Sequence, residues 1–254
     1  MNIIVLAKLV PDLVEELEID DSGTALDMTW LRLIINELDD HAIEEAILLK
    51  ERYGAHVTIL SPEIEGVDDI LFTAAAKGAD RLVKVTGEYE SGINNHALAR
   101  VLVEPIKDMS PDLILAGVEA NEDLDGSIGP LLAGYLDWPF IGYVAKVTLQ
   151  DSIAKIHKEY PGGLTAEFDI NLPAVLGIQV AEQPPRYVAV SKVRQAMKTA
   201  EIEEIYAGQF DLSGGPKIER MYQPEAGEGA TMLEGSIDDI ADRLIGIFNE
   251  LGVR

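Results

Sequence analysis

Short β-branched segments alternate with helical segments along the first half of the chain, and few residues separate them. The first, Ile3 to Ala7, is a continuous apolar run typical of a strand buried on both faces. The later segments are a helix from Asp39 or Asp40 to Tyr53, strand His56 to Leu60, helix Gly66 to Lys77, strand Arg81 to Val85, helix Asn94 to Lys107, strand Asp112 to Ala116 and helix Ser127 to Leu136. Such alternation is the signature of right-handed βαβ crossovers. It predicts an α/β, Rossmann-like fold, in which a mostly parallel sheet carries helices on both faces.

Strand-like segments without a helix between them follow this unit. Residues 140–149 and 153–159 alternate in hydropathy and are joined through residues 150–152. They predict antiparallel strands added to the sheet. Residues 174–180 predict one more strand. Earlier in the chain, residues 16–35 predict an excursion from the fold in the form of a hairpin.

The character of the sequence changes after residue 200. Residues 201–235 are rich in Gly and Pro and have little apolar periodicity, which predicts an extended arm. Ser236 begins a helix with acidic residues in its first turn. Its apolar face consists of Ile240, Leu244, Ile247, Phe248 and Leu251. We therefore predict an α/β domain in residues 1–200 and a C-terminal arm plus helix in residues 201–254, packed either on that domain or on a partner chain.

Charge and composition exclude several classes of function. The 254 residues include 20 Lys and Arg against 45 Asp and Glu, a formal net charge of −25, and no Cys. This charge opposes binding to nucleic acid and to anionic membranes. The lack of Cys excludes disulfides, thiolate zinc sites and cysteine-ligated clusters, and the four scattered His predict no metal site. Because the apolar N-terminal stretch is too short for a signal peptide or a membrane span, we expect a cytoplasmic protein without direct membrane insertion.

One loop has the features of a phosphate site. Gly117 to Pro130 follows the strand that ends at Ala116, and ligands of open α/β sheets bind outside the carboxyl ends of strands. Gly126, Ser127 and Gly129 lie where a helix begins, so free backbone N–H groups and the helix dipole favour an anion. The alternative is a simple acidic turn and helix N-cap. Walker and Gly-x-Gly-x-x-Gly motifs do not occur, and no catalytic residues are predicted.

Seven segments spread over nearly the whole chain match, in order, the motifs of one known family. They are Ala7-Lys8-Leu9-Val10-Pro11-Asp12, Asn36 followed by Ala42-Ile43-Glu44-Glu45-Ala46, Ala74-Ala75-Ala76-Lys77-Gly78-Ala79-Asp80, Gly117 to Pro130, Leu136-Asp137-Trp138-Pro139, Leu172-Pro173-Ala174-Val175 and Pro185-Arg186-Tyr187. The sequence resembles the β subunits of electron transfer flavoproteins, including those of nitrogen-fixation and electron-bifurcating complexes. Val118, Glu119 and Ser127-Ile128-Gly129 depart from the family's loop pattern. These departures remove polar side chains but leave the backbone N–H donors in place.

The resemblance implies a heterodimer with an α subunit that carries FAD and shuttles electrons between dehydrogenases and an acceptor. This chain would be an electron carrier subunit without catalytic residues of its own, and residues 201–254 would dock on the α subunit. Its own pocket would bind FAD, as in bifurcating members, or AMP, as in simple carriers. Val10-Pro11-Asp12 and Ile128-Gly129-Pro130 look closer to the bifurcating type, which favours FAD. The alternatives left open are a stand-alone adenine-nucleotide sensor and a nucleotide hydrolase or synthetase.

The strand ends and the family's matching positions together predict the residues that bind this nucleotide. They are Leu6, Ala7, Lys8, Asn36, Glu37, Leu38, Asp39, Ser61, Pro62, Gly117, Ala120, Asn121, Glu122, Asp123, Leu124, Asp125, Gly126, Ser127, Ile128, Gly129, Pro130 and Leu131. Val190 matches the position at which a loop of the family contacts a dehydrogenase. The alternative for Val190 is a helix start packed on the sheet.

Overall fold

The computed structural model describes residues 1–87, 93–123, 125–224, 227 and 229–253. Its strands are β1 (Asn2–Leu6), β2 (Leu9–Pro11), β3 (Leu33–Ile35), β4 (His56–Pro62), β5 (Arg81–Thr86), β6 (Leu113–Gly117), β7 (Phe140–Gln150), β8 (Ile153–Tyr160), β9 (Leu164–Asn171), β10 (Ala174–Ile178) and β11 (Ile202–Tyr206). Its helices are α1 (Glu37–Tyr53), α2 (Val67–Lys77), α3 (Asn95–Met109), α4 (Ile128–Leu136), α5 (Val190–Thr199) and α6 (Ile237–Glu250). The chain divides into two compact units, Met1–Glu219 and Arg220–Arg254.

Within the described residues, nine strands of the first unit form one sheet in the order β11-β5-β4-β1-β6-β10-β7-β8-β9. The strands from β11 to β7 are parallel to their neighbours, and β8 and β9 extend the sheet in antiparallel fashion. The predicted α/β, Rossmann-like fold with added antiparallel strands is therefore confirmed. Strand β9 is an addition that the sequence patterns did not predict.

The strand order reverses at β1. From β1 the chain proceeds to β4 and β5 on one side, and it then crosses back to β6 on the other side of β1. Connections on the two sides of such a reversal run over opposite faces of the sheet, so they leave a crevice at the carboxyl ends of the two central strands. The fold thus places its natural binding crevice at the ends of β1 and β6.

Alternate residues of β1 face two separate hydrophobic cores. Ile3 and Val5 lie in the core that includes residues of α1 and α2. Ile4 and Leu6 lie in the core that includes residues of α3 and α4. Both faces of the central strands are therefore covered, which explains why the strand sequences are apolar throughout and do not alternate.

The predicted excursion is a twisted hairpin that leaves the sheet after β1. Strands β2 and β3 pair antiparallel at its base, and an isolated antiparallel bridge joins Ile19 to Leu26 near its tip. The Asn36 N–H donates to the Lys8 carbonyl oxygen at 3.0 Å and closes the excursion where it rejoins the domain. The base of the excursion is thus tied to the end of β1 and the beginning of α1.

The sheet includes the beginning of the predicted C-terminal arm. β11 pairs in parallel with β5 along its length, and Arg81 Nη2 forms an ion pair with Glu203 Oε2 at 2.7 Å. The following residues cross α3, where Arg100 Nε donates to the Asp211 carbonyl oxygen at 2.7 Å and Asn94 Nδ2 donates to that of Gly214 at 3.0 Å. The first unit consequently ends at residue 219, beyond the boundary expected at residue 200.

The second unit contains the predicted C-terminal helix, α6. Ser236 and Asp239 form a capping box: Ser236 Oγ accepts the Asp239 N–H at 3.3 Å, and Asp239 Oδ2 accepts the Ser236 N–H at 3.0 Å. No residue of α6 is buried; Ile240 is half-buried, and the other large apolar side chains of the helix are exposed. The helix therefore owes its beginning to local hydrogen bonds and has an apolar face free for a partner.

Candidate functional site

A narrow pocket lies where β1 and β6 end, at the reversal of strand order. Its walls are Leu6, Ala7, Lys8, Asn36, Asp39, Pro62, Asn95, Leu98, Leu102, Ala116, Gly117, Glu119, Asp123 and Ile128. The pocket volume is about 20 Å³, enough for one water molecule. These residues come from the ends of three parallel strands, from the loops after β1 and β6, and from the N-terminal halves of three helices. The crevice expected from topology and the pocket therefore coincide.

The carboxylate of Asp39 joins three elements at the base of the pocket. Asp39 Oδ1 accepts the Gly117 N–H at 2.9 Å, and Asp39 Oδ2 accepts the Lys8 N–H at 3.0 Å. Burial raises the pKa of Asp39 to about 6, although the nearby charge of Lys8 and these hydrogen bonds oppose the rise. Asp39 thus fixes the end of β1 and the end of β6 to the first turn of α1.

Lys8 lies across the pocket, between this base and the loop that follows β6. Its Nζ is 2.6 Å from Asp123 Oδ1 and 2.9 Å from Glu122 Oε1. Burial lowers the pKa of Lys8, but the two carboxylates outweigh that effect and raise it above its ordinary value. For Glu122 the effect of burial is the opposite: burial raises the pKa of this carboxyl, although the charge of Lys8 opposes the rise. Lys8 is therefore a charged ammonium whose present partners are the two carboxylates of the loop.

Asp125 connects the same loop to the first turn of α3. Its Oδ1 accepts from Ser127 Oγ at 2.7 Å and from Asn95 Nδ2 at 3.1 Å, and its Oδ2 lies 3.2 Å from His96 Nε2. Burial raises the pKa of Asp125, yet the hydrogen bonds from Ser127 and Asn95 hold it below its usual value. The end of the loop is consequently fixed by an ionised carboxylate, directly before α4.

Helix α4 directs its N-terminus toward the pocket. The N–H groups in the first turn of a helix have no partner within the helix, and together with the dipole they favour an anion. Ile128, the first residue of α4, lines the pocket. The Ser127 N–H already donates to Asp125 Oδ1 at 3.2 Å. The available donors for a phosphate are therefore the N–H groups of Ile128 and Gly129 together with Lys8.

The predicted nucleotide residues separate into those that line the pocket and those around it. Lining residues are Leu6, Ala7, Lys8, Asn36, Asp39, Pro62, Gly117, Asp123 and Ile128. Outside the lining are Glu37, Leu38, Ser61, Ala120, Asn121, Glu122, Asp125, Gly126, Ser127, Gly129, Pro130 and Leu131. Leu124 lies outside the described residues.

The sequence patterns missed one wall of the pocket. Asn95, Leu98 and Leu102 come from α3, and Ala116 and Glu119 flank the end of β6. The spacing of Asn95, Leu98 and Leu102 places them on one face of a helix. That face appeared in the sequence only as ordinary core, because nothing local shows that α3 lies beside the end of β1.

Gly129, in the first turn of α4, lies close to the first residue of β7. A Cβ atom at residue 129 would lie 2.7 Å from the ring of Phe140. The glycine therefore allows α4 to approach β7 closely, and a bulky substitution would disturb packing before it affected any ligand.

Val190 is the first residue of α5, and 61% of its surface is exposed. The segment before it is held to α1, because Arg186 Nη2 lies 2.8 Å from Glu44 Oε1 and Arg186 Nη1 lies 2.6 Å from Glu51 Oε1. Val190 thus begins a helix, as the alternative expected, but its side chain is not in the core. Its contact with a dehydrogenase stays a prediction.

Comparison with known proteins identifies the family. The family model of the electron transfer flavoprotein domain matches residues 29–209. The chain is 36% identical to the electron transfer flavoprotein subunit beta of Methylophilus methylotrophus, over 98% of both chains. It is 31% identical to that of Bacillus subtilis over 97% of both chains, and 30% identical to that of Clostridium acetobutylicum over 98% of both. The chain belongs to the electron transfer flavoprotein β-subunit family. Within the described ranges, no helix is both long and apolar enough to cross a membrane.

Proposed function

We propose that this chain binds an adenine nucleotide in the pocket at the ends of β1 and β6 and works with an FAD-carrying α subunit. The pair would pass electrons between dehydrogenases and an acceptor, with FAD supplying the redox chemistry when bound. The observation that carries the proposal is the position of the pocket, at the reversal of strand order and before the first turn of α4. Family membership adds the electron-carrier role.

The residues of the pocket fit a phosphate. Lys8 supplies a positive charge, and Ile128 and Gly129 supply backbone N–H groups. A phosphate would replace Glu122 and Asp123 as the partner of Lys8, and the separation of these ion pairs would widen the pocket. Asp39 would keep its role in the base, because its oxygens are already occupied by backbone donors.

FAD is the proposed nucleotide, on the likeness of two loop segments to bifurcating members, and it would allow flavin-based bifurcation. AMP is the second candidate. Extraction of the nucleotide from the purified complex, followed by chromatography and mass spectrometry, distinguishes FAD from AMP. An extract without any adenine nucleotide would contradict the proposal.

A pair of substitutions at residue 127 tests the location of the phosphate. Ser127→Asp adds a negative charge at the N-cap of α4, where Asp is an accepted capping residue. We expect nucleotide occupancy to fall, because the new carboxylate repels a phosphate. Ser127→Asn is the matched control, since it has nearly the same shape without the charge, and its occupancy should stay close to wild type. Equal occupancy in both variants would place the nucleotide elsewhere.

The sensor alternative predicts a different behaviour on purification. A carrier subunit copurifies in equal amounts with an α-type chain that bears flavin, whereas a sensor binds its nucleotide alone. Co-expression with the α subunit, followed by gel filtration with absorbance read at flavin wavelengths, separates the two. The redox role would fail if the chain eluted alone with its nucleotide and no flavin-bearing partner.

A further inference from the structure

The excursion between β2 and β3 exposes a group of apolar side chains that the domain does not use. Trp30 is 92% exposed and Val14 is 93% exposed, and Leu13 and Met28 are about half exposed. The two arms of the excursion run antiparallel, with Asp12 bonded to Arg32 at its base and Ile19 bridged to Leu26 near its tip. This arrangement brings residues 13–14 and residues 28–30 to the same level of the excursion.

Negative charge surrounds these apolar side chains. Between residues 12 and 32 the sequence contains seven carboxylates and one basic residue, Arg32, whose Nη1 lies 3.7 Å from Asp12 Oδ2. Four of the carboxylates maintain the turns: Asp12, Glu15, Asp20 and Asp27 accept backbone N–H groups of Val14, Arg32, Ser22 and Thr29. The other three, Glu16, Glu18 and Asp21, are exposed. The surface is therefore both acidic and held in shape by its own hydrogen bonds.

The excursion is attached directly to the nucleotide pocket. The strands at its base, β2 and β3, directly follow Lys8 and directly precede Asn36, and both of these residues line the pocket. The base of the excursion therefore adjoins the pocket along the chain. The inference that follows rests on the proposed electron-carrier function.

We propose that the excursion, residues 12–32, is a docking surface for a basic redox protein, with Trp30 and Val14 as apolar contacts and the carboxylates as electrostatic guides. Permanent interfaces are large, apolar and depleted of charge, whereas encounters between redox proteins are small and guided by charge. Seven carboxylates against one arginine in these twenty-one residues fit the second description. A second copy of this chain is disfavoured, because each copy has a net charge of −25.

The test uses the full-length chain co-expressed with the α subunit, and horse heart cytochrome c, a lysine-rich one-electron acceptor, as the probe. The test variant combines Glu16→Gln, Glu18→Gln and Asp21→Asn. The control variant combines Glu104→Gln, Asp108→Asn and Glu201→Gln, which changes net charge equally at exposed residues elsewhere. We expect the association rate constant with immobilised cytochrome c at low ionic strength to fall about three- to tenfold in the test variant and less than about twofold in the control. The difference should diminish at about 0.15 M salt.

Trp30→Ala provides a second, charge-neutral measurement. Because Trp30 is exposed, we expect an unchanged melting temperature and a faster dissociation from cytochrome c. Equal association rate constants in the test and control variants would overturn the proposal. Loss of the α subunit from the test variant would also overturn it, because the excursion would then belong to the subunit interface. For the redox readout, the flavin of the complex is first reduced with dithionite and the excess reductant is removed. Binding that depends on the excursion without transfer of an electron from this reduced flavin to ferricytochrome c would contradict the electron-carrier function and leave the docking surface intact.

Discussion

The Asp39 carboxylate and the backbone of Gly117 fit so closely that a Cβ atom at residue 117 would lie 2.5 Å from Asp39 Oδ1. The same oxygen accepts the Gly117 N–H, so the beginning of α1 and the end of β6 are in direct contact. The base of the pocket can therefore form in this way only because residue 117 has no side chain.

Gly117→Ala should disrupt this contact. We expect a loss of about 1 to 3 kcal/mol in the free energy of unfolding, because the backbone must shift to admit a methyl group, and a fall of several degrees in melting temperature. Gly134→Ala is the control, since nothing lies within 4 Å of a Cβ atom at that position. Thermal melts of both variants make the comparison. Equal melting temperatures of the two variants would mean that the contact between Gly117 and Asp39 does not contribute to stability.

The raised pKa of Asp39 predicts a particular pH dependence of stability. Its pKa is about 6 in the folded chain and 3.8 in an unperturbed carboxyl. Between these values the folded chain retains a proton that the unfolded chain has lost, so the free energy of unfolding decreases as pH rises from about 4 to about 6. Asp39→Asn cannot titrate. Urea unfolding of both proteins across this range should show the stability of wild type relative to the variant declining with pH, and a constant difference would contradict the assignment.

Lys8→Met should leave Glu122 and Asp123 without their cation. We expect a loss of about 2 to 4 kcal/mol, since breaking a largely buried ion pair leaves uncompensated charge. The loss should be smaller at acidic pH, where the carboxylates protonate. Lys155→Met is the control, because Lys155 and Asp169 form an exposed pair worth about 0.5 kcal/mol or less. Chemical unfolding at two pH values tests both expectations, and similar losses in the two variants would argue against a buried charge at Lys8.

The boundary between the two units predicts two different truncations. A chain that ends at Glu219 should keep the fold and its melting temperature but lose the α subunit, because the helix with the free apolar face is gone. A chain that ends at Ala200 should also be less stable, since it lacks β11 and exposes the edge of β5. Gel filtration with the α subunit and thermal melts distinguish them. Full retention of the α subunit by the shorter chains would remove residues 220–254 from the interface.

Val190→Ala tests the predicted dehydrogenase contact. An exposed aliphatic contact contributes roughly 1 to 2 kcal/mol to a transient complex, so we expect electron transfer from the dehydrogenase to slow by about five- to thirtyfold. Flavin content and melting temperature should not change, because Val190 is exposed. Met197→Ala, another exposed position in α5, is the control. If Val190→Ala lowered the melting temperature together with the rate of electron transfer, Val190 would have a structural role and not a docking role.

Sequence patterns predicted the parallel part of the fold well, because its strands are buried on both faces and appear as continuous apolar runs. Strand β9 escaped detection for the opposite reason. It lies at the sheet edge with most residues exposed, so Glu167 and Asp169 interrupt any apolar pattern. Strand β11 was missed for a similar reason. Its Glu203 and Glu204 form ion pairs with Arg81 and Lys84 on β5 and do not pack in a core, so the segment has no apolar pattern.

The pocket was predictable where it follows strand ends and unpredictable where it depends on packing. Lys8 follows β1, Gly117 ends β6 and Ile128 begins α4. Local sequence patterns predict such positions. Asn95 and Leu98 belong to α3, and only the three-dimensional crossover brings that helix to the end of β1. The position of Asp39 depends in turn on contact with Gly117, far away in the sequence.

The capping box of α6 has a consequence for how cells must make this protein. The hydrogen bonds between Ser236 and Asp239 favour the helix from within its own first turn, and Leu244, Ile247 and Phe248 are exposed to water. A chain made in excess of an α subunit would therefore keep an exposed apolar surface, which favours proteolysis and self-association. If α6 docks on the α subunit, we expect balanced synthesis of the two subunits to limit both losses.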